Sequence, residues 1–176
     1  MIPFQEEPIS MKTVDYIKMG LETSRSLITG LLDDMKDAPL TAPTSKGGNH
    51  PLWILGHLTF SEANIMYCYV EGKPNPLESW QETFAGGSDP VADPQAYPSW
   101  EEVRTKWDEV TAHTMEVLAT LSDDDLDRPS HNCPPERQDF FGTIGQCFLV
   151  ATMHRTMHYG QVADARRMAG RPPLFV

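Results

Sequence analysis

The sequence predicts an all-α fold, a four-helix bundle with one long connection between its second and third helices. Apolar residues recur at spacings of three and four in four separate segments, the mark of amphipathic helices. Alternating, strand-like patterns are absent. Each segment is also flanked by residues that start or stop helices.

The first segment covers about residues 10–35, with Met11, Val14, Ile17, Leu21, Ile28, Leu31, Leu32 and Met35 on one side. Asp37-Ala38-Pro39 and residues 43–48 break it. The second begins at Pro51, a residue suited to the first helical turn, and runs to about Gly72. The third opens on Ser99-Trp100-Glu101-Glu102, which reads as a capping box, and continues through Val103, Trp107, Val110, Thr114, Val117 and Leu121. The fourth opens on Thr143-Ile144-Gly145-Gln146, a second capping box. It ends at Gly170, with Arg166 and Arg167 in the last turn and Pro172 forbidding continuation.

Residues 73–98 join the second and third segments and are rich in Pro and Gly. Bundle connections usually span about 2–8 residues, so this one is long. Two readings stay open: a plain surface loop, or a cover that walls a pocket with Trp80, Phe84 and Tyr97. Residues 122–141 form a further irregular stretch, in which Asp123-Asp124-Asp125 reads as a solvated, Ser-capped short helix.

Composition narrows the function. The 176 residues fit a single domain, 1–176 with a core over about 10–172, able to bury a core without disulfide staples. A formal charge of −11 argues against nucleic acid, because phosphate binding needs a basic surface. Three scattered cysteines, Cys68, Cys133 and Cys147, make no secreted disulfide framework. The first residues lack the basic and apolar regions of a signal peptide, and no run of about 18 apolar residues exists to enter a membrane. A cytoplasmic location is expected.

The histidines carry the chemistry. The fourth segment's inner stripe reads Ile144, Cys147, Phe148, Ala151, His154, His158, Gln161, Val162, Ala165 and Met168. His154 and His158 therefore stand one turn apart where the pattern expects leucine, a spacing that chelates one ion. His57 lies in Trp53-Ile54-Leu55-Gly56-His57-Leu58, again amid apolar residues. Three neutral imidazoles from two facing helices would make a divalent-metal site with an open position. Zn, Ni, Fe(II) or Cu suits such a set. Arg155 stands where the zincin motif would need its glutamate, so that class is excluded. The competing reading is core imidazoles held by hydrogen bonds alone. Gln161, on the same face, is a candidate to orient a ligand or bound water. Of the rest, His113 reads as solvent-facing and His50 as a residue at a helix start. His131 lies in a loop near Cys133, and Cys68 and Cys147 read as core thiols. Ser61 and Asn64, on the second helix, could line a pocket or simply bond backbone.

With the helix-2 His57 and the later His154-Arg155-Thr156-Met157-His158-Tyr159-Gly160-Gln161, the chain resembles the DinB/YfiT-like family of metal-binding four-helix bundles. The stretch Leu121-Ser122-Asp123-Asp124-Asp125-Leu126-Asp127-Arg128-Pro129 is similar to that family's linker before the last helix. The resemblance implies His57, His154 and His158 as metal ligands, with zinc or nickel most expected and iron next. It also implies a homodimer, and Trp53, Trp80, Trp100 and Trp107 are candidate interface aromatics, with ordinary core packing the alternative for Trp53 and Trp107. For function it implies a metal-dependent transferase or isomerase that uses a low-molecular-weight thiol on a small-molecule substrate. A metal-dependent hydrolase and a non-catalytic metal- or ligand-binding module are the alternatives.

Overall fold

The computed structural model describes residues 11–42 and 48–174. Among them it holds six α-helices and no β-strand: α1 (Thr13–Asp34), α2 (Pro51–Ala63), α3 (Gln81–Phe84), α4 (Trp100–Ala119), α5 (Gln138–Phe141) and α6 (Ile144–Met168). The expected count of four is therefore corrected. The two additional helices have four residues each and sit in the stretches read as irregular, too short to show a 3.6-residue period. The expected helix start at Ser10, the residues read for a leader, and most of the breaker at 43–48 lie outside the described residues.

The four long helices pack as two layers, α1 against α6 and α4, and α2 against α4 and α6. Of α2, every residue except Ser61 is buried. A helix that is apolar all round is an interior helix, and this one is enclosed by α4, α6 and the connection that carries α3. Asn64–Val70 continues α2 as a π-helix, a rare form that is most often found at functional sites. Gly72 ends it in the left-handed conformation (φ 69°), where its missing side chain leaves room for the His131 ring.

The caps agree with their sequence signals in part. Thr143 and Gln146 form the reciprocal capping box on α6, whereas at α4 only Ser99 takes its bond, from the Glu102 N–H at 3.1 Å. Asp123 does more than sit in solvent: its carboxylate accepts the Thr13 and Val14 N–H groups, each at 2.9 Å, and so caps α1. Arg166 and Arg171 pair with Asp34, tying the end of α6 to the end of α1. None of the helices is long and apolar enough to cross a membrane, among the described residues.

The connection 73–98 packs on the bundle rather than standing free, but the residues it lends to a cavity wall are Gln81, Ala85 and Gly86, not the expected Trp80, Phe84 and Tyr97. Trp80 and Phe84 are buried, and Tyr97 meets His50 edge-on. Phe84 packs directly on Gly56: a β-carbon there would lie 2.1 Å from the ring, so only glycine permits this approach.

Candidate metal centre

Packing α2 against α6 brings His57, His154 and His158 together, with one ligand atom from each lying within 4.8 Å of the others. His154 Nε2 stands 3.0 Å from His57 Nε2 and 3.1 Å from His158 Nε2. The outward nitrogens are fixed by acceptors. His57 Nδ1–H donates to the Phe84 carbonyl at 2.8 Å, and His158 Nδ1–H donates to Gln161 Oε1 at 2.9 Å. Trp53 stacks flat on the His57 ring, 4.5 Å between centroids, and sets its plane.

These bonds decide the protonation. With Nδ1–H committed, the neutral rings of His57 and His158 each present a bare Nε2 lone pair to His154. A single N–H on His154 can satisfy one of them at best. The set fits a cation better than it fits a hydrogen-bond network. Nitrogens bound to one zinc at about 2.0–2.1 Å in tetrahedral geometry lie about 3.3 Å apart, close to the spacings seen here.

Electrostatics points the same way. Burial pushes the His154 pKa down to about 3, with His158 and His57 adding to the effect. Burial and then His57 push His158 down to about 4, against the opposing bond to Gln161. Burial lowers His57 as well, and the Phe84 carbonyl partly offsets it. All three rings are neutral at pH 7, the form that ligates metals.

Beside the cluster lies a cavity of about 530 Å³, lined by His57 and His154 together with Ser61, Asn64, Gln81 and Arg137. Larger grooves of about 920 Å³ between α1 and α4 and about 710 Å³ between α1 and α6 contain none of the three histidines. The smaller cavity is thus the one with access to the chemistry.

Other residues depart from their sequence reading. Gln161 and Met168, expected on the buried stripe of α6, are exposed, although Gln161 still reaches His158 and takes an Asn49 N–H at 3.2 Å. Arg155 and Arg166 are buried instead. Arg155 is bonded to both oxygens of the buried Glu62, at 2.8 Å from Nε to Oε2, and donates to the Leu21 carbonyl at 2.8 Å. Thr114 donates to the same carboxylate at 2.6 Å. Glu62 is therefore fully engaged and offers no free base. The clue in the sequence was a lone carboxylate within the otherwise apolar second helix.

His50, read at a helix start, is the cap of α2, accepting the Trp53 N–H at Nδ1 (3.1 Å) and bonding the Val91 carbonyl through Nε2 (3.0 Å). His113 is not solvent-facing: it stacks on Tyr67 and bonds Glu71 at 2.7 Å. The His131 ring lies against Gly72. Cys68, Cys133 and Cys147 are free thiols. Cys147 is fully buried, and burial raises its pKa to about 12, with Cys133 adding to it.

Fold and site together define a protein that is helical, without strands among the described residues, with a largely buried cluster of three imidazoles beside an open cavity. The family model of the DinB superfamily matches residues 20–162, and the chain belongs to that superfamily. Among solved structures it is similar to a conserved protein from Enterococcus faecalis, at 15% identity and a TM-score of 0.70, over 91% of this chain and 98% of that one. At that identity the likeness is one of fold. No curated protein matches the chain.

Proposed function

We propose that the protein is a metal-dependent enzyme of the thiol-dependent transferase or isomerase type, built on the four long helices as a DinB-like bundle. His57, His154 and His158 would hold one divalent ion, zinc or nickel by the family resemblance, since the donor set also suits iron(II) or copper. When bound, the ion supplies the Lewis acidity that lets a small thiol lose its proton at neutral pH. The observation that carries this reading is the cavity opening on His57 and His154, which leaves room for a substrate beside three neutral nitrogens. The residues of the chain do the rest. Trp53 and the Phe84 carbonyl hold His57 in one tautomer, Gln161 does so for His158, and the aromatic walls limit water. Cys147 is buried with a raised pKa and supports packing rather than attack.

Metal-loaded protein should conjugate a test electrophile to a small thiol faster than the thiol reacts alone. Chelation or His57→Ala should erase the gain, and Cys147→Ser should leave most of it. Loss of activity in Cys147→Ser with no effect of chelation would overturn the mechanism. Acceleration of ester or amide hydrolysis with no thiol effect would favour the hydrolase alternative, whose weakness here is that Glu62 is spent on Arg155. Metal binding with neither activity would favour a binding module.

We also propose that a second copy covers the α1–α6 face. Of the four expected interface aromatics, Trp53, Trp80 and Trp107 are buried in the core and Trp100 is half-buried. Tyr16, Met19, Leu149, Met153 and Met157 instead stand exposed along α1 and α6 around a mainly apolar groove. Light scattering should give a dimer at micromolar concentration and a monomer for Leu149→Asp. A wild-type monomer would refute the proposal.

A further inference from the structure

We infer that Arg137 recognises a carboxylate on the substrate, so that the cavity beside the three histidines takes a small anionic molecule. This rests on the reading of that cavity as the substrate pocket.

The first observation is one of pairing. The chain has eight arginines, and seven of them are ion-paired with carboxylates. Arg137 alone has no such partner among the described residues, and it lines the cavity that also contains His57 and His154. In a chain of net charge −11, carboxylates to pair with are plentiful, and elsewhere the arginines take them.

The second observation concerns its neighbours. Ser61, Asn64 and Gln81 line the same cavity, and none of their side chains bonds another described residue. Ser61 is the one residue of α2 left half-exposed, and Asn64 opens the π-helical turn. Three uncharged polar groups and one cation thus share a wall whose remaining surface includes Phe60, Ile65 and Phe141.

The chemistry follows from the guanidinium. Arg137 is exposed to solvent, and its planar fork matches a carboxylate with two parallel N–H···O bonds. The overall negative field repels anions at long range, so selection must come from the contact itself, and it weakens with salt. The hydroxyl and the amides can bond the carboxylate's remaining lone pairs or a neighbouring polar group.

The test uses the full chain in two arms. In the first, cobalt(II)-loaded protein is titrated with mercaptocarboxylates from 3-mercaptopropionate to 6-mercaptohexanoate, each against its amide, and binding is read from thiolate–cobalt absorption. In the second, metal-free protein is titrated with 4-phenylbutyrate and with 4-phenylbutanamide, read by NMR shifts. The carboxylate should bind about tenfold more tightly than its amide, the range of one charged hydrogen-bonded contact. Arg137→Ala should bring that ratio to about one while leaving amide binding unchanged. Arg137→Lys should keep part of it, and Arg167→Ala, which removes the same charge elsewhere, should keep all of it. No preference in either arm of the wild type, or a preference that survives Arg137→Ala, overturns the inference. Failure of every thiol to reach cobalt, with an Arg137-dependent preference for phenylbutyrate, supports it and sinks the thiol reading instead.

Discussion

Replacing His154 with alanine should abolish one-to-one binding of a divalent ion while leaving the far-UV helical signal intact. His154 is the nitrogen common to both short contacts, so its loss leaves His57 and His158 without the ring between them. Loss of a group that merely orients a ligand costs about 10–100-fold in metal affinity, and loss of a ligand should exceed that. The fold should survive because the ring is only half-buried and bonds nothing outside the cluster. Acidification gives a second reading of the same site. The folded-state pKa values of about 3 and about 4 lie below the ordinary 6.5, so the unfolded chain binds more protons between those limits. Stability of the metal-free protein should thus be complete above about pH 6.5 and decline as pH falls toward 4. Bound ion should be released over the same direction of pH, since ligation needs neutral rings. His154→Ala should flatten the decline, measured as denaturant midpoints at several pH values. Metal analysis that finds one ion per chain in this variant would remove His154 from the site.

Glu62→Gln should cost about 3–5 kcal/mol of stability, the range for stranding one member of a buried ion pair. Arg155 is 1% exposed, lies 5.2 Å from the centre of the Trp107 ring, and has no carboxylate but Glu62 to neutralise it. The neutral amide also loses acceptor capacity toward Thr114 and the guanidinium. Replacing both partners, Glu62→Leu with Arg155→Met, should recover most of the loss, because an apolar pair of similar volume avoids desolvating two charges. Urea denaturation of the two singles and the double gives the coupling directly. A loss below about 1 kcal/mol for Glu62→Gln would show that the pair does not anchor α6 to α2.

What the sequence made legible, and what it hid, follows from how each signal arises. His154 and His158 stand out because an imidazole at a leucine position is conspicuous whatever the partner, and His57 does so amid Trp53, Ile54, Leu55 and Leu58. The long helices announce themselves by period and caps. A single apolar stripe on α6 leaves Arg155 outside it, whereas α1 and α2 both pack on α6 and bury a wider face that takes it in. The same single stripe places Gln161 and Met168 inward, though both are exposed. His50 stands at the helix start where the sequence puts it, but the contact that turns His113 away from solvent is hidden, because its partner Glu71 lies 42 residues away. The acceptor for His57 could not be read at all: it is a main-chain carbonyl, and every residue has one.

That carbonyl has a consequence for how such a centre can change. His57 is oriented by the backbone of Phe84, and the same few residues, Gln81, Ala85 and Gly86, form part of the cavity wall. Lengthening or exchanging this segment would alter what the cavity admits and, in the same step, the basicity of one nitrogen. Selectivity and reactivity are here inherited as a single cassette, so relatives that diverge in this loop should differ in both together, even with all three histidines kept.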